Sequence, residues 1–149
     1  AVARGAWGEK GGVAAALTTI RELKRRHSEP FFEYMGEQVR TTINEALSAA
    51  GLSGSCVGLS PCPALSFDLP DPALTPLVST LFVQEMAKRG VHTQTSFRVT
   101  MAHTEEDIRI LGDRATEALS IIKAGLEQGN LEDLLECDLK KEPFRRLVK

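Results

Sequence analysis

Cysteine is scarce in this chain, and its few copies form no disulfide or metal-binding pattern. The three cysteines, Cys56, Cys62 and Cys137, are odd in number and include no CxxC pair. A disulfide framework needs an even set and a structural zinc site needs closely spaced pairs, so neither is predicted, and no metal site is expected. Cysteines that stay reduced favour a cytoplasmic setting.

The chain also lacks a long apolar run and an excess of charge of one sign. No stretch approaches the roughly 20 apolar residues of a transmembrane helix, and no signal-peptide pattern is present. The 18 basic and 20 acidic residues give a formal net charge of −2, which argues against nucleic acid as the main partner. A length of 149 residues with 42% hydrophobic side chains predicts one soluble domain with no membrane partner.

Apolar residues recur at helical spacing in four segments. The predicted helices cover residues 13–26, 29–50, 76–89 and 105–128. Ser28, Thr75 and Thr104 are the predicted N-terminal caps, and glycines close the last three helices. Thr104 and Asp107 have the spacing of a capping box, in which each side chain bonds the backbone N–H of the other residue.

Short apolar segments between the helices predict strands at residues 56–58, 64–67, 91–92 and 97–101. Pro61 and Pro63 cannot donate to a ladder and are expected at an edge or a turn. The order of elements predicts a two-layer α+β sandwich, in which helices cover one face of a small, mostly antiparallel sheet. Residues 131–149 are interpreted as a partly ordered tail.

The first helix is unusual because its N-terminal half is built from glycine and alanine. So small a surface indicates very close packing against another element, and the rest of the chain offers no obvious bulky partner. We therefore expect the partner to lie outside this chain, in a missing domain or in another subunit.

The residues alone indicate no active site. His27, His92 and His103 accompany no nucleophile motif, and His103 is expected to hydrogen-bond locally. The acidic residues 105–107 are better explained as a solvated first helical turn than as a metal site. Arg98 alternates with the apolar residues of its strand, so it is either a surface arginine or a carboxylate ligand.

Several segments resemble the C-terminal part of class III pyridoxal-phosphate (PLP) aminotransferases, nearest to the branch of glutamate-1-semialdehyde aminomutase. The similar segments are residues 82–91 (FVQEMAKRGV), 102–108 (AHTEEDI), 6–9 (AWGE) with 13–17 (VAAAL), and 143–146 (PFRR). They follow the order of the family along nearly the whole chain.

This resemblance implies the small domain of a fold-type I PLP enzyme, at residues 28–130, preceded by a loop and a long interdomain helix at 1–27 and followed by a tail at 131–149. The Schiff-base lysine would lie in a missing N-terminal large domain, so the fragment alone is expected to be inactive. No lysine here has an apolar setting that would lower its pKa for such chemistry.

The family also suggests site residues. It usually places a Ser or Thr, at about the position of Gly5, on the cofactor phosphate of the neighbouring subunit of a homodimer. Gly5 has no hydroxyl, so only backbone N–H groups of Gly5, Ala6 and Trp7 could serve, and an ordinary interdomain loop is the alternative. Arg98 would hold the carboxylate of a small amino-compound substrate.

Two other functions stay open at this stage. The chain could be a non-catalytic α+β interaction or dimerisation module, in which case residues 1–27 should pack on its own core. It could also be a small-molecule binding domain that uses the strand of Arg98.

Overall fold

The computed structural model describes residues 10–139, without the side chain of Lys10. Its elements in chain order are α1 (Lys10–Arg25), α2 (Glu29–Ala50), β1 (Gly54–Val57), β2 (Ala64–Phe67), a 3-10 helix (Pro72–Leu74), α3 (Thr75–Lys88), α4 (Glu105–Gln128) and a second 3-10 helix (Leu131–Leu134). All four predicted helices form, and the α+β fold class is confirmed. No helix within residues 10–139 is long and apolar enough to cross a bilayer.

The core lies between α2 and α4, whose apolar stripes face each other and the sheet. The buried apolar side chains of these two helices are Met35, Val39, Ile43, Ala46 and Leu47 of α2 and Ile108, Leu111, Ala115, Ala118, Leu119 and Ile122 of α4. The two helices approach closely at Gly112, where a Cβ atom would lie 2.5 Å from Cγ2 of Thr42. This closeness explains why a glycine is needed in the middle of a helix, where it otherwise costs stability.

The sheet consists of β1 and β2, paired antiparallel with Cys56 opposite Leu65. The outer edge of β1 is covered by a side chain of α2 rather than by a third strand. Asn44 accepts from the Cys56 N–H at 2.8 Å and donates to the Cys56 carbonyl at 3.1 Å. An amide side chain thereby satisfies both polar groups that an edge strand would leave open.

The predictions of regular strands at residues 91–92 and 97–101 are wrong. Residues 91–94 are irregular, and only one bridge, between Ser96 and Ala64, connects the later segment to the sheet. Residues 95–99 nevertheless run beside the chain that leads into β2, so the segment lies where a third strand would lie.

Two prolines explain why this third strand is incomplete. The N–H groups of Phe97 and Val99 donate to the carbonyls of Pro63 and Pro61 at 2.8 and 3.0 Å. Proline has no backbone N–H, so the return bonds of an antiparallel ladder cannot form. Pro61 and Pro63 do lie at an edge, as predicted.

The helix caps partly differ from the prediction. Ser28 precedes α2 but makes no side-chain capping bond, and α3 begins at Thr75 with Leu74 at the cap position. The capping box of α4 is confirmed: Thr104 Oγ1 accepts from the Asp107 N–H at 3.3 Å, and Asp107 Oδ2 accepts from the Thr104 N–H at 2.8 Å.

The corner between α1 and α2 is fixed by the backbone. His27 has a positive φ of 49°, and its N–H donates to Lys24 O at 3.1 Å, while the Ser28 N–H donates to Leu23 O at 3.2 Å. These two bonds form a Schellman motif, with His27 at the position that glycine usually occupies. The motif ends α1 and turns the chain into α2, and none of residues 11–27 is buried.

The segment after α4 is ordered as far as the structure describes it. Gln84 of α3 donates to Leu134 O at 2.9 Å and accepts from the Glu136 N–H at 2.7 Å. Leu131 is buried in the core. Residues 140–149 of the predicted tail, which include the PFRR segment, lie outside the described residues.

Candidate functional site

Arg98 lies on the extended segment 95–99, next to the incomplete edge of the sheet. Phe97 and Val99 on either side of it are 5% and 9% exposed, whereas Arg98 itself is exposed. The predicted alternation of apolar and polar residues is therefore confirmed, even though the segment is not a regular strand. The core anchors the neighbours of Arg98 and leaves its side chain outside.

Two clefts meet at Arg98. The larger has a volume of about 400 Å³, with an apolar floor and a polar rim. The floor includes Val39, Phe97, Val99, Ile108 and Leu111, and the rim includes His92, Arg98, His103 and Asp107. The smaller cleft, of about 290 Å³, is lined by His92, Thr93, Gln94, Ser96 and Arg98. A cation above an apolar floor suits a small molecule with an anionic group and an apolar body.

Among the residues that the structure describes, Arg98 has no acidic partner, and in this it differs from the other arginines of the domain. The other four arginines between residues 28 and 139, namely Arg40, Arg89, Arg109 and Arg114, each pair with a carboxylate. Within residues 10–139 the Arg98 guanidinium makes no hydrogen bond or ion pair. Five N–H donors on a planar fork are thus free to bind a carboxylate or a phosphate.

His103 closes the turn that follows the Arg98 segment. The ring Nδ1 of His103 accepts from the Thr100 backbone N–H at 3.0 Å, and the backbone N–H of His103 donates to the Thr100 carbonyl at 3.1 Å. The predicted local hydrogen bonding of His103 is confirmed. His103 also lines the cleft, as does His92, and no pattern in the sequence indicates this.

The acidic residues at the start of α4 are engaged in the fold. The hydrogen bond from the Thr104 backbone N–H holds the pKa of Asp107 below its usual range, and Arg109 does the same for Glu106. In the part of the chain that the structure describes, no three potential metal ligands come together.

No described lysine side chain has the setting of a PLP-binding lysine. Lys24 is exposed, Lys88 pairs with Glu85 and Glu136, and Lys123 pairs with Glu127 at 3.2 Å. Burial raises the pKa of the Cys56 thiol to about 11, which keeps it protonated. Gly5, Ala6 and Trp7 lie outside the described residues, so the proposed phosphate contact cannot be placed.

Comparisons with known proteins give one clear result. The sequence matches no protein-family profile and no curated protein. Among solved structures, the chain is similar to an omega-transaminase from Sphaerobacter thermophilus, with a TM-score of 0.64 and 17% sequence identity. The chain shares its fold with part of a transaminase. The match covers 72% of this chain and only 27% of the transaminase chain.

Proposed function

We propose that this chain is the C-terminal small domain of a cytoplasmic, PLP-dependent class III aminotransferase or aminomutase, of the branch that resembles glutamate-1-semialdehyde aminomutase. The complete enzyme would transfer an amino group between an amino compound and a carbonyl compound. The fold shared with a transaminase is the observation that carries this proposal. The order of the family-like segments along the chain supports it independently.

The exposed face of α1 supports a partner outside the described residues. Val13, Leu17 and Ile20 lie on one side of α1 and are 50, 45 and 52% exposed. A 16-residue helix with two glycines is marginal on its own in water, so its apolar face needs a cover. A Cβ atom on Gly11 would meet none of the described atoms within 4 Å, so residues 10–139 do not explain the small residue there. We propose that the missing large domain packs on this face.

The position of α1 also bears on the alternative of an interaction module with its own complete core. That alternative predicts that residues 1–27 pack on the core of this chain. None of residues 11–27 is buried, which counts against this alternative.

The described residues do not fit a PLP site, because they offer no lysine in an apolar pocket. We therefore assign the cofactor to the missing large domain and expect this chain alone to be inactive. The backbone N–H groups of Gly5, Ala6 and Trp7 stay a proposed contact to the phosphate in the neighbouring subunit of a homodimer.

Within the enzyme, we assign to Arg98 the recognition of the substrate carboxylate. Its unpaired guanidinium and the apolar floor beside it support this role. A charge-assisted hydrogen bond is worth about 1.5–3 kcal/mol, so Arg98→Gln should lower kcat/KM for carboxylate-bearing amino donors about 10- to 100-fold. Amines without a carboxylate should react at the wild-type rate. Equal losses for both kinds of donor would contradict the role of Arg98.

The enzymatic proposal is tested by two measurements on the native protein. Its intact mass should lie well above the 16.2 kDa of this chain. It should also show the visible absorbance of bound PLP, and that absorbance should change when an amino donor is added. A native protein of 16.2 kDa, or a longer one without this absorbance, would contradict the proposal.

A further inference from the structure

The turn at residues 100–103 is closed by a histidine side chain. The Thr100 N–H donates to His103 Nδ1 at 3.0 Å, and the Ala102 N–H donates to Thr100 Oγ1 at 3.4 Å. The Thr100 hydroxyl also lies 3.5 Å from His103 Nδ1. Side chains, and not only backbone groups, therefore define how the chain leaves the Arg98 segment.

The bond from Thr100 requires one protonation state of His103. A ring nitrogen that accepts a hydrogen bond carries no proton, so His103 is neutral in this turn and holds its hydrogen on Nε2. A second proton would have to sit on Nδ1, where it would face the Thr100 N–H directly. Two donors would then oppose each other, and the turn would lose the acceptor that closes it.

This turn controls the end of the segment that carries Arg98. The last bond that ties the segment to the sheet side is the one from the Val99 N–H to Pro61 O. The next backbone donor, on Thr100, goes to His103 instead. Because the prolines remove the return bonds of the ladder, the segment depends more than an ordinary strand does on the contact at its end.

Other titratable and charged groups face the same cleft. His92, Arg98 and Asp107 line it together with His103. Asp107 already accepts from the N–H and the hydroxyl of Thr104, both at 2.8 Å, so it is committed to the helix cap. His92 is a second histidine in this cleft, so its contribution must be separated from that of His103 by experiment.

We propose that His103 is a positioning residue for Arg98: its unprotonated Nδ1 holds the Arg98 segment in the form that binds a carboxylate, and protonation releases it. The inference rests on the carboxylate role of Arg98 given under the proposed function. It adds a dependence on pH that an arginine alone would not give, because arginine stays charged over this range.

The test is an NMR titration of this chain between about pH 8 and about pH 5.5, the range in which an ordinary histidine gains its proton. Benzoate is the probe, because it is an apolar carboxylate that stays ionised at these pH values. The signals followed are the Thr100 amide, the Arg98 Nε–H and the His103 ring. Variants His103→Asn, His103→Ala and His92→Asn are measured in parallel.

In the wild type, the Thr100 and Arg98 signals should shift together with the His103 ring, and the affinity for benzoate should fall about tenfold at the lower pH. His103→Asn offers an amide oxygen near the place of Nδ1 but cannot titrate, so it should keep the high affinity at both pH values. His103→Ala should bind weakly at both, and His92→Asn should keep the pH dependence.

The inference is overturned if His103→Ala binds benzoate like the wild type with unshifted Arg98 signals, or if His92→Asn abolishes the pH dependence. If benzoate does not bind the wild type even at pH 8, the proposed carboxylate role of Arg98 fails. The positioning role is then decided by the NMR signals alone. The role is supported if the Arg98 signal shifts with pH together with the His103 ring signal and stops shifting in His103→Asn. It is overturned if the Arg98 signal does not change as the His103 ring gains its proton.

Discussion

Gly36 shows how one residue can join a helix to a loop. A Cβ atom at this position would lie 2.2 Å from the backbone oxygen of Ser60 and 2.4 Å from its Cα. Ser60 is itself buried, and its hydroxyl donates to Glu33 at 2.6 Å, one turn before Gly36 on α2. The loop is therefore held against α2 by a close backbone approach and by a side-chain bond.

We expect Gly36→Ala to destabilise the domain by about 2 kcal/mol, because the added methyl group meets rigid backbone that must move. Urea unfolding followed by circular dichroism measures the change. Gly11→Ala is the matched control: it adds the same methyl group in α1, where nothing lies within 4 Å. The control should be neutral or slightly stabilising, since alanine is favoured over glycine in helices. Similar losses in both variants would contradict the steric explanation.

Glu85 is a buried carboxylate on α3, only 5% exposed. It accepts from Arg89 at 2.7 Å, from Gln84 at 3.1 Å and from Lys88 at 3.2 Å. Burial acts to raise the pKa of Glu85, but the hydrogen bonds from Arg89, Gln84 and Lys88 outweigh it, so the pKa lies below the ordinary 4.5. The ionised form is therefore the one that stabilises the fold.

Glu85→Gln should reduce the free energy of unfolding by about 2 kcal/mol at neutral pH, because Arg89 and Lys88 lose the buried negative charge and one acceptor oxygen becomes an NH2 donor. The depressed pKa means that Glu85 contributes its full stability above about pH 4.5 and loses it as the pH falls through the lower folded value. The difference in the free energy of unfolding between the wild type and Glu85→Gln should therefore become smaller at acidic pH. Urea unfolding at several pH values checks this, and a gap that stays constant to low pH would show that the carboxylate charge is not the cause.

At the scale of whole elements, α4 depends on its N-terminal cap. Thr104→Ala removes the hydroxyl that accepts from the Asp107 N–H and should cost about 1 kcal/mol in thermal or urea unfolding. Thr104→Ser keeps the hydroxyl and serves as the control. If the alanine variant is as stable as the serine variant, the capping box contributes nothing to stability.

The turn held by His103 lies just before this cap. The benzoate titration should therefore be repeated on Thr104→Ala, to separate an effect of the cap on benzoate binding from the effect of His103.

The elements that could be predicted from the sequence are those whose signals are local. The stripe of α2 at Met35, Val39 and Ile43, and the glycine with φ 66° at position 51, act within one helix and are visible in the sequence. The strand at 97–101 was predicted wrongly because its partner residues, Pro61 and Pro63, lie more than thirty residues earlier and only the fold brings them opposite. The cleft was missed for the same reason, since His92, Arg98 and His103 meet through a loop without a periodic pattern.

At the scale of the whole molecule, α1 stands out because it concentrates positive charge and carries an uncovered apolar side. Residues 10–26 contain five basic residues and one acidic residue, although the chain as a whole has a net charge of −2. The Schellman corner at His27 ends this helix and turns the chain into α2. A helix with an uncovered apolar side and a basic end suits a large partner that offers an apolar surface and acidic groups.

The double substitution of Leu17 and Ile20 by glutamate tests this view, because it places two charges on the apolar face of α1. In this chain alone, the free energy of unfolding should stay within about 0.5 kcal/mol of the wild-type value, since both side chains are exposed. In the complete protein the same substitutions should lower stability by several kcal/mol, because the charges would be buried against the large domain. Thr19→Glu, at an exposed position outside the apolar stripe of α1, should be harmless in both. A loss of stability in the isolated chain would show that α1 packs on the rest of this chain. Unchanged stability in the complete protein would show that the large domain does not cover the apolar face of α1.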